Sequence, residues 1–188
     1  MTPSSSSRPA AGGSAAVGAA VTAGAGSGGT AIGDIAALSA EPIDMVGMLS
    51  GAHHPGAGAV VLFSGEVRDN NLGQTVNYLE YEAYAPMAEK MIGEILAAAK
   101  TRWSLKIALA QHRTGIVAVG DTAVVVITAS AHRTEAYAAN RYIIDRIKHE
   151  APIWKCEHYA DGRHEWGNNC NCHAVTGDVS KHIYEIEG

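Results

Sequence analysis

The sequence predicts an α+β fold with a mainly antiparallel or mixed sheet. Three observations carry this. Strand and helix patterns run in the order β-β-α-β-β-α-β-β, without the strict alternation of a parallel α/β protein. Several neighbouring strands are separated only by short turns. Apolar residues make up 47% of the 188-residue chain, enough for a sizeable core.

The first forty or so residues differ from the rest. They are rich in Ala, Gly and Ser, with little charge and few bulky side chains. Such a segment buries too little surface to offset its ordering entropy, so residues 1–41 are expected to form a disordered extension. The Ser-rich, acid-poor make-up fits a transit peptide, but Arg8 is its single basic residue, which argues against one. The folded domain is expected over 42–167, and a polar tail over 168–188.

A short helix is predicted at 44–49. GAVVLFSGEVR (58–68) reads as a buried strand that ends in a polar turn, DNNLGQ. VNYLEYEAY (76–84) alternates, with Tyr78, Glu80, Glu82 and Tyr84 on one face and Leu79, Tyr81 and Ala83 on the other. Pro86 then stands where a first helical turn tolerates it, and Met87, Met91, Ile95 and Leu96 recur at helical spacing. KIALAQHRTG (106–115) and TAVVVITASA (122–131) are two further strands, with a Gly-Asp turn at 120–121. The clearest helix spans about 134–150. Its buried stripe is Ala136, Ala139, Ile143 and Ile147, and Pro152 stops it. PIWKCEHYADGRHEWG reads as a strand, an Asp-Gly turn and a return strand.

The net charge of −5 speaks against a general nucleic-acid binder. No apolar run reaches the roughly 18 residues of a membrane span. Three cysteines, Cys156, Cys170 and Cys172, are an odd number, and a reduced intracellular setting is expected. Cys-x-Cys-His at 170–173 lacks paired CxxC spacing, so no metal site is assigned.

The informative residues are cations at element ends. Arg68 closes a buried strand beside a loop, from where a guanidinium can reach an anion or remain solvated. His132 and Arg133 stand at a helix N-terminus, where cations are locally unfavourable and an anion is welcome. Lys148 lies in the last turn of the same helix, where a cation suits the dipole. Lys155 shares a strand face with Ile153, Glu157 and Tyr159, while Trp154, Cys156 and His158 share the other. Two readings of Lys155 stand side by side: a surface pair with Glu157, or an amine whose pKa is lowered by apolar neighbours and by Lys148. Arg133 and Lys148 lie fifteen residues apart on one helix, roughly 22 Å at helical rise. Either they serve different sites, or a symmetric dimer brings one helix start beside the partner's helix end.

Taken together and in this order, GAVVLFSGEVRDNNLG, LEYEAYAPMAEK, HRTG, SAHRTEAY and IKHEAPIWKCE resemble the family of large, catalytic subunits of molybdopterin synthase. The resemblance covers about residues 58–167. It implies an α/β-hammerhead-type fold and a homodimer, within a heterotetramer that includes two small ubiquitin-like sulfur-carrier subunits. It implies that the carrier's C-terminal Gly-Gly thiocarboxylate enters a pocket, and that sulfur passes twice to cyclic pyranopterin monophosphate, forming the dithiolene of molybdopterin. By the same resemblance Lys148 and Lys155 are the catalytic pair and Arg68 is an anion contact. His132 and Arg133 reach the substrate phosphate from the partner subunit, and Phe63 lines the pocket. No cofactor, metal, nucleic acid or membrane is expected, and a cytosolic place of work is. Glu66 and Cys156 depart from its pattern, because some relatives carry Lys or Thr at the first and relatives often have a second basic residue at the other.

Overall fold

A computed structural model describes residues 35–168. The elements are β1 (Ala36–Ser39), α1 (Met45–Ser50), β2 (Ala59–Glu66), β3 (Asn70–Asn71), β4 (Gln74–Ala83), α2 (Ala85–Trp103), β5 (Ile107–Arg113), β6 (Gly115–Ala118), β7 (Thr122–Ser130), α3 (Arg133–Glu150), β8 (Ile153–Tyr159) and β9 (His164–Asn168). They build two sheets, in the orders β1-β5-β7-β2 and β3-β4-β8-β9, with β6 added to β4. β1 runs parallel to β5 and the other pairs are antiparallel, so the fold is the mixed α+β type predicted.

The first sheet is covered on both faces, which explains the unbroken apolar run of β7. Val124 and Val126 join a core with Ile92, Ile95 and Leu96 of α2 and Ile143 and Ile147 of α3. The alternate residues Val125, Ile127 and Ala129 join a second core with Met48 of α1 and with Ile107 and Leu109. A strand buried on both faces loses the polar–apolar alternation that a half-exposed strand keeps. The predicted stripe of α3 (Ala136, Ala139, Ile143 and Ile147) is fully buried. Asn140 joins it, because its amide donates to the carbonyls of Val61 and Val126, both at 3.1 Å. This satisfies a buried polar group and ties α3 to β2 and β7.

Three expectations need correction. Order begins earlier than Pro42: Ala36–Ser39 forms β1, in register with Ala110–Arg113 of β5. A short alanine-rich segment carries little strand signal of its own and is held by pairing with a distant strand. The stretch between the predicted strands at 106–115 and 122–131 is more than a turn, since Gly115–Ala118 is a strand paired with Tyr78–Tyr81. The DNNLGQ turn holds a small hairpin, in which Asn70 and Asn71 pair with Thr75 and Gln74. Leu72 and Gly73 both have positive φ (50° and 80°), as a two-residue hairpin loop requires. The expectations for residues 1–34 and 169–188, including Cys170, Cys172 and His173, lie outside the described residues. Among the described residues, no helix is long and apolar enough to cross a membrane.

Candidate active site

The face of β8 that carries Ile153, Lys155, Glu157 and Tyr159 is turned into the molecule, and this decides what Lys155 is. β8 lies between β4 and β9, with Lys155 opposite Tyr81 and Glu157 opposite Leu79. Pro152 separates this strand from α3, whose cap residue Ala151 is already extended (φ −66°, ψ 135°). The chain therefore turns back within four residues of Lys148. Lys148 and Lys155 then face one cleft of about 130 Å³, together with Arg68, Glu66, Asn71, Tyr81 and Glu157. Arg68 is set at its rim by Val67. The Val67 N–H donates to the Asp121 carbonyl (3.0 Å), and the Val67 carbonyl accepts from Gly120 (2.8 Å).

Glu157 organises the floor. Only 6% exposed, it accepts from Lys155 Nζ (2.7 Å), from the Tyr159 hydroxyl (2.6 Å) and from the Asn71 amide (2.5 Å). Burial pushes its carboxyl up, but the hydrogen bonds from Lys155, Tyr159 and Asn71 outweigh this and leave it below the usual value. It is thus a buried carboxylate that fixes the ammonium of Lys155 in place. The surface-pair reading of Lys155 and Glu157 fails on this point, since both side chains are largely withdrawn from solvent (15% and 9% exposed).

Lys148 differs. Its pKa is held below the ordinary lysine value, first by burial, then by the positive charges of Lys155 and Arg68, with Asp145 opposing. Such an amine gives up and takes back a proton closer to neutral pH than a free lysine does.

Beneath the cleft lies His112, 1% exposed, whose Nδ1 faces the Arg113 carbonyl at 2.7 Å. Burial, and to a lesser degree the charge of Lys148, lowers its pKa to about 4, against the bond to the Arg113 carbonyl. The unfolded chain protonates His112 near its ordinary 6.5 while the folded protein resists until about 4. Its contribution to stability is present above pH 6.5 and is lost as pH falls towards 4, by roughly 3 kcal/mol in all. Denaturant unfolding followed across that window is expected to show the loss, and His112→Gln is expected to flatten it.

Four other candidates are placed elsewhere. His132 caps α3 and Arg133 opens it, both exposed, at the end of the helix remote from Lys148. One chain therefore does not bring them to the lysine cleft. Phe63 is half-buried against the main core and is not among the residues lining the cleft. Cys156 is completely buried on the face of β8 opposite Lys155, and burial pushes its thiol up, followed by the charge of Glu80. It is a packed thiol and is not presented to the cleft.

The residues that sequence reasoning left without a role are Asn71, Tyr81, His112 and Tyr159, and Glu157 was weighed only as a partner for Lys155. The alternation of β8 already put Lys155, Glu157 and Tyr159 on one face. It carried no sign that the face would be covered by the β3–β4 hairpin.

Residues 38–150 match the family model described as MoaE protein. The molybdopterin synthase catalytic subunit of Staphylococcus carnosus is 47% identical over 113 residues, which span 60% of this chain and 75% of that protein. Among solved structures, the crystal structure of molybdopterin synthase from Staphylococcus aureus matches with a TM-score of 0.66 at 40% identity, over 70% of this chain and 95% of that one. A complex of subunits 1 and 2 of the molybdopterin-converting factor from Helicobacter pylori matches with a TM-score of 0.58. At 20% identity, over 69% of this chain and 88% of that one, it shares the fold.

Proposed function

The chain belongs to the MoaE protein family, and from that premise we propose that it is the large, catalytic subunit of a molybdopterin synthase. In this reading it is a sulfurtransferase of molybdenum cofactor biosynthesis. It takes sulfur from the C-terminal thiocarboxylate of a small ubiquitin-like carrier and delivers it, twice, to cyclic pyranopterin monophosphate. The observation that carries the reading is the convergence of Lys148, Lys155 and Arg68 on one cleft that also holds the buried carboxylate of Glu157.

The residues divide the work by their environments. Lys155, fixed by Glu157, offers an oriented cation to the anionic end of the carrier tail. Lys148, with its lowered pKa, is the group suited to exchange protons with the reacting pterin. Arg68, exposed at the rim, is free to meet an anionic substrate group as it enters. His132 and Arg133 complete the site from a second copy of the chain, whose α3 start supplies them and an anion-favouring helix end. The working assembly is a homodimer carrying one small subunit at each end, placed in the cytosol.

The test is reconstitution. Purified protein, thiocarboxylated carrier and cyclic pyranopterin monophosphate are expected to yield the dithiolene, detected as its oxidised fluorescent pterin derivative. Carrier that binds without any dithiolene forming would leave an anion-binding or carrier-binding scaffold and sink the enzymatic reading.

A further inference from the structure

Tyr81 lines the lysine cleft, directly opposite Lys155 across the β4–β8 ladder, and is 7% exposed. A tyrosine so buried ordinarily gives its hydroxyl to a protein acceptor. Tyr159 does so, donating to Glu157. Among the described residues, the Tyr81 hydroxyl has no such partner. Nor is it sealed off: among the described residues, the sealed side-chain polar atoms without a partner are Arg113 Nε and Glu135 Oε2. The small exposed part of Tyr81 therefore includes its oxygen, and the cleft is the pocket that Tyr81 lines.

The ring is held still. His112 meets it edge-to-face, with centroids 4.9 Å apart and planes at 72°. Burial, and then the negative charge of Glu157, push the phenol up to about 12, so the hydroxyl stays a donor at any pH near neutral. A fixed, protonated, unpartnered donor at the wall of a reaction cleft is arranged to meet a ligand oxygen. The charges select which one. The cyclic phosphate of the pyranopterin, which carries a full negative charge, is repelled by the nearby Glu157 carboxylate and is better served by Arg68 at the rim. Once the tail's sulfur is bonded to a pterin carbon, the tail ends in a neutral thioester, whose acyl oxygen gains charge only when water adds to the acyl carbon.

Resting on the sulfur-transfer reading above, we propose that Tyr81 is a further catalytic residue, whose hydroxyl donates a hydrogen bond to the acyl oxygen at the end of the carrier tail. The bond strengthens when, with the tail's sulfur already bonded to a pterin carbon, water adds to the acyl carbon and negative charge gathers on its oxygen. The acyl C–S bond then breaks, the sulfur stays on the pterin as a thiolate, and the tail leaves as a carboxylate. The water's protons pass to Lys148 and solvent, and no proton leaves the phenol.

Tyr81→Phe keeps the ring, its burial and its contact with His112, and removes only the donor. With thiocarboxylated carrier and cyclic pyranopterin monophosphate as substrates, kcat is expected to fall about 100-fold. The KM for the pyranopterin is expected to stay within about twofold, and Tm to stay unchanged. Tyr81→Leu, which also lacks the hydroxyl, is expected to lose kcat to at least the same extent. The proposal is overturned if Tyr81→Phe keeps kcat within about threefold of the parent. It is overturned equally if Tyr81→Leu alone is impaired, which would make the role one of packing, or if the loss lies wholly in the pyranopterin KM. Failure of the underlying reading shows separately, as parent protein that forms no dithiolene at all.

Discussion

Lys155→Ala is expected to lower the rate of dithiolene formation by about a thousandfold at saturating substrate, with a folded protein and an unchanged dimer. The expectation follows from the floor of the cleft. The ammonium of Lys155 is held 2.7 Å from a carboxylate that is itself fixed by Tyr159 and Asn71, so no mobile side chain replaces it when it is cut back. Removing it deletes the oriented cation at the tail end and leaves Glu157 as a buried carboxylate with neutral donors alone. That uncompensated charge makes the cleft hostile to an anionic ligand. The neighbouring substitution provides the control. Cys156→Ala changes the opposite face of the same strand, where the thiol is buried and kept protonated. Its activity is expected to stay within about twofold of the parent. A dead Cys156→Ala beside a fully active Lys155→Ala would overturn both the lysine assignment and the geometry that supports it.

Mixing two inactive proteins is expected to restore activity. Arg133→Ala keeps its own lysine cleft but offers a defective helix start to its partner, and Lys155→Ala does the reverse. If each site is built across two subunits, a mixed dimer contains one intact site and one doubly damaged site. Half of the dimers in an exchanged equal mixture are mixed, so activity should return to about a quarter of the parent value. The physical basis is the length of α3. Arg133 opens that helix and Lys148 lies in its last turn, roughly 22 Å away at helical rise. A single small-molecule cleft does not span that distance within one chain. No recovery after subunit exchange has been demonstrated, for instance by mass-tagged protomers, would assign His132 and Arg133 to a separate role.

Much of the fold is legible in local pattern. The 3.6-residue spacing of Ala136, Ala139, Ile143 and Ile147 identifies α3, and Pro152 marks its end. The two-residue alternation from Ile153 to Tyr159 identifies β8 and sorts its side chains onto faces. These are short-range properties of the backbone, and the sequence carries them whole. The cations at element ends are legible in the same way, and so is the distance that separates the two ends of α3.

Other features depend on which strand lies next to which. β1 is a strand because β5 is beside it, and β6 because β4 is, although neither segment announces itself through its own residues. Glu157 is a buried carboxylate satisfied by hydrogen bonds because the hairpin carrying Asn71 folds over β8. His112 is an uncharged wedge at neutral pH because the fold buries it, and because α3 adds the positive charge of Lys148 nearby. By itself, the sequence determined the helices, most strands, both lysines and the division of faces along β8. Only the tertiary structure decided which face is covered, which carboxylate holds Lys155, and which hydroxyl is left open to the cleft. Periodicity is a property of neighbours along the chain, whereas burial and hydrogen-bond partners are set by residues that the chain brings back from far away.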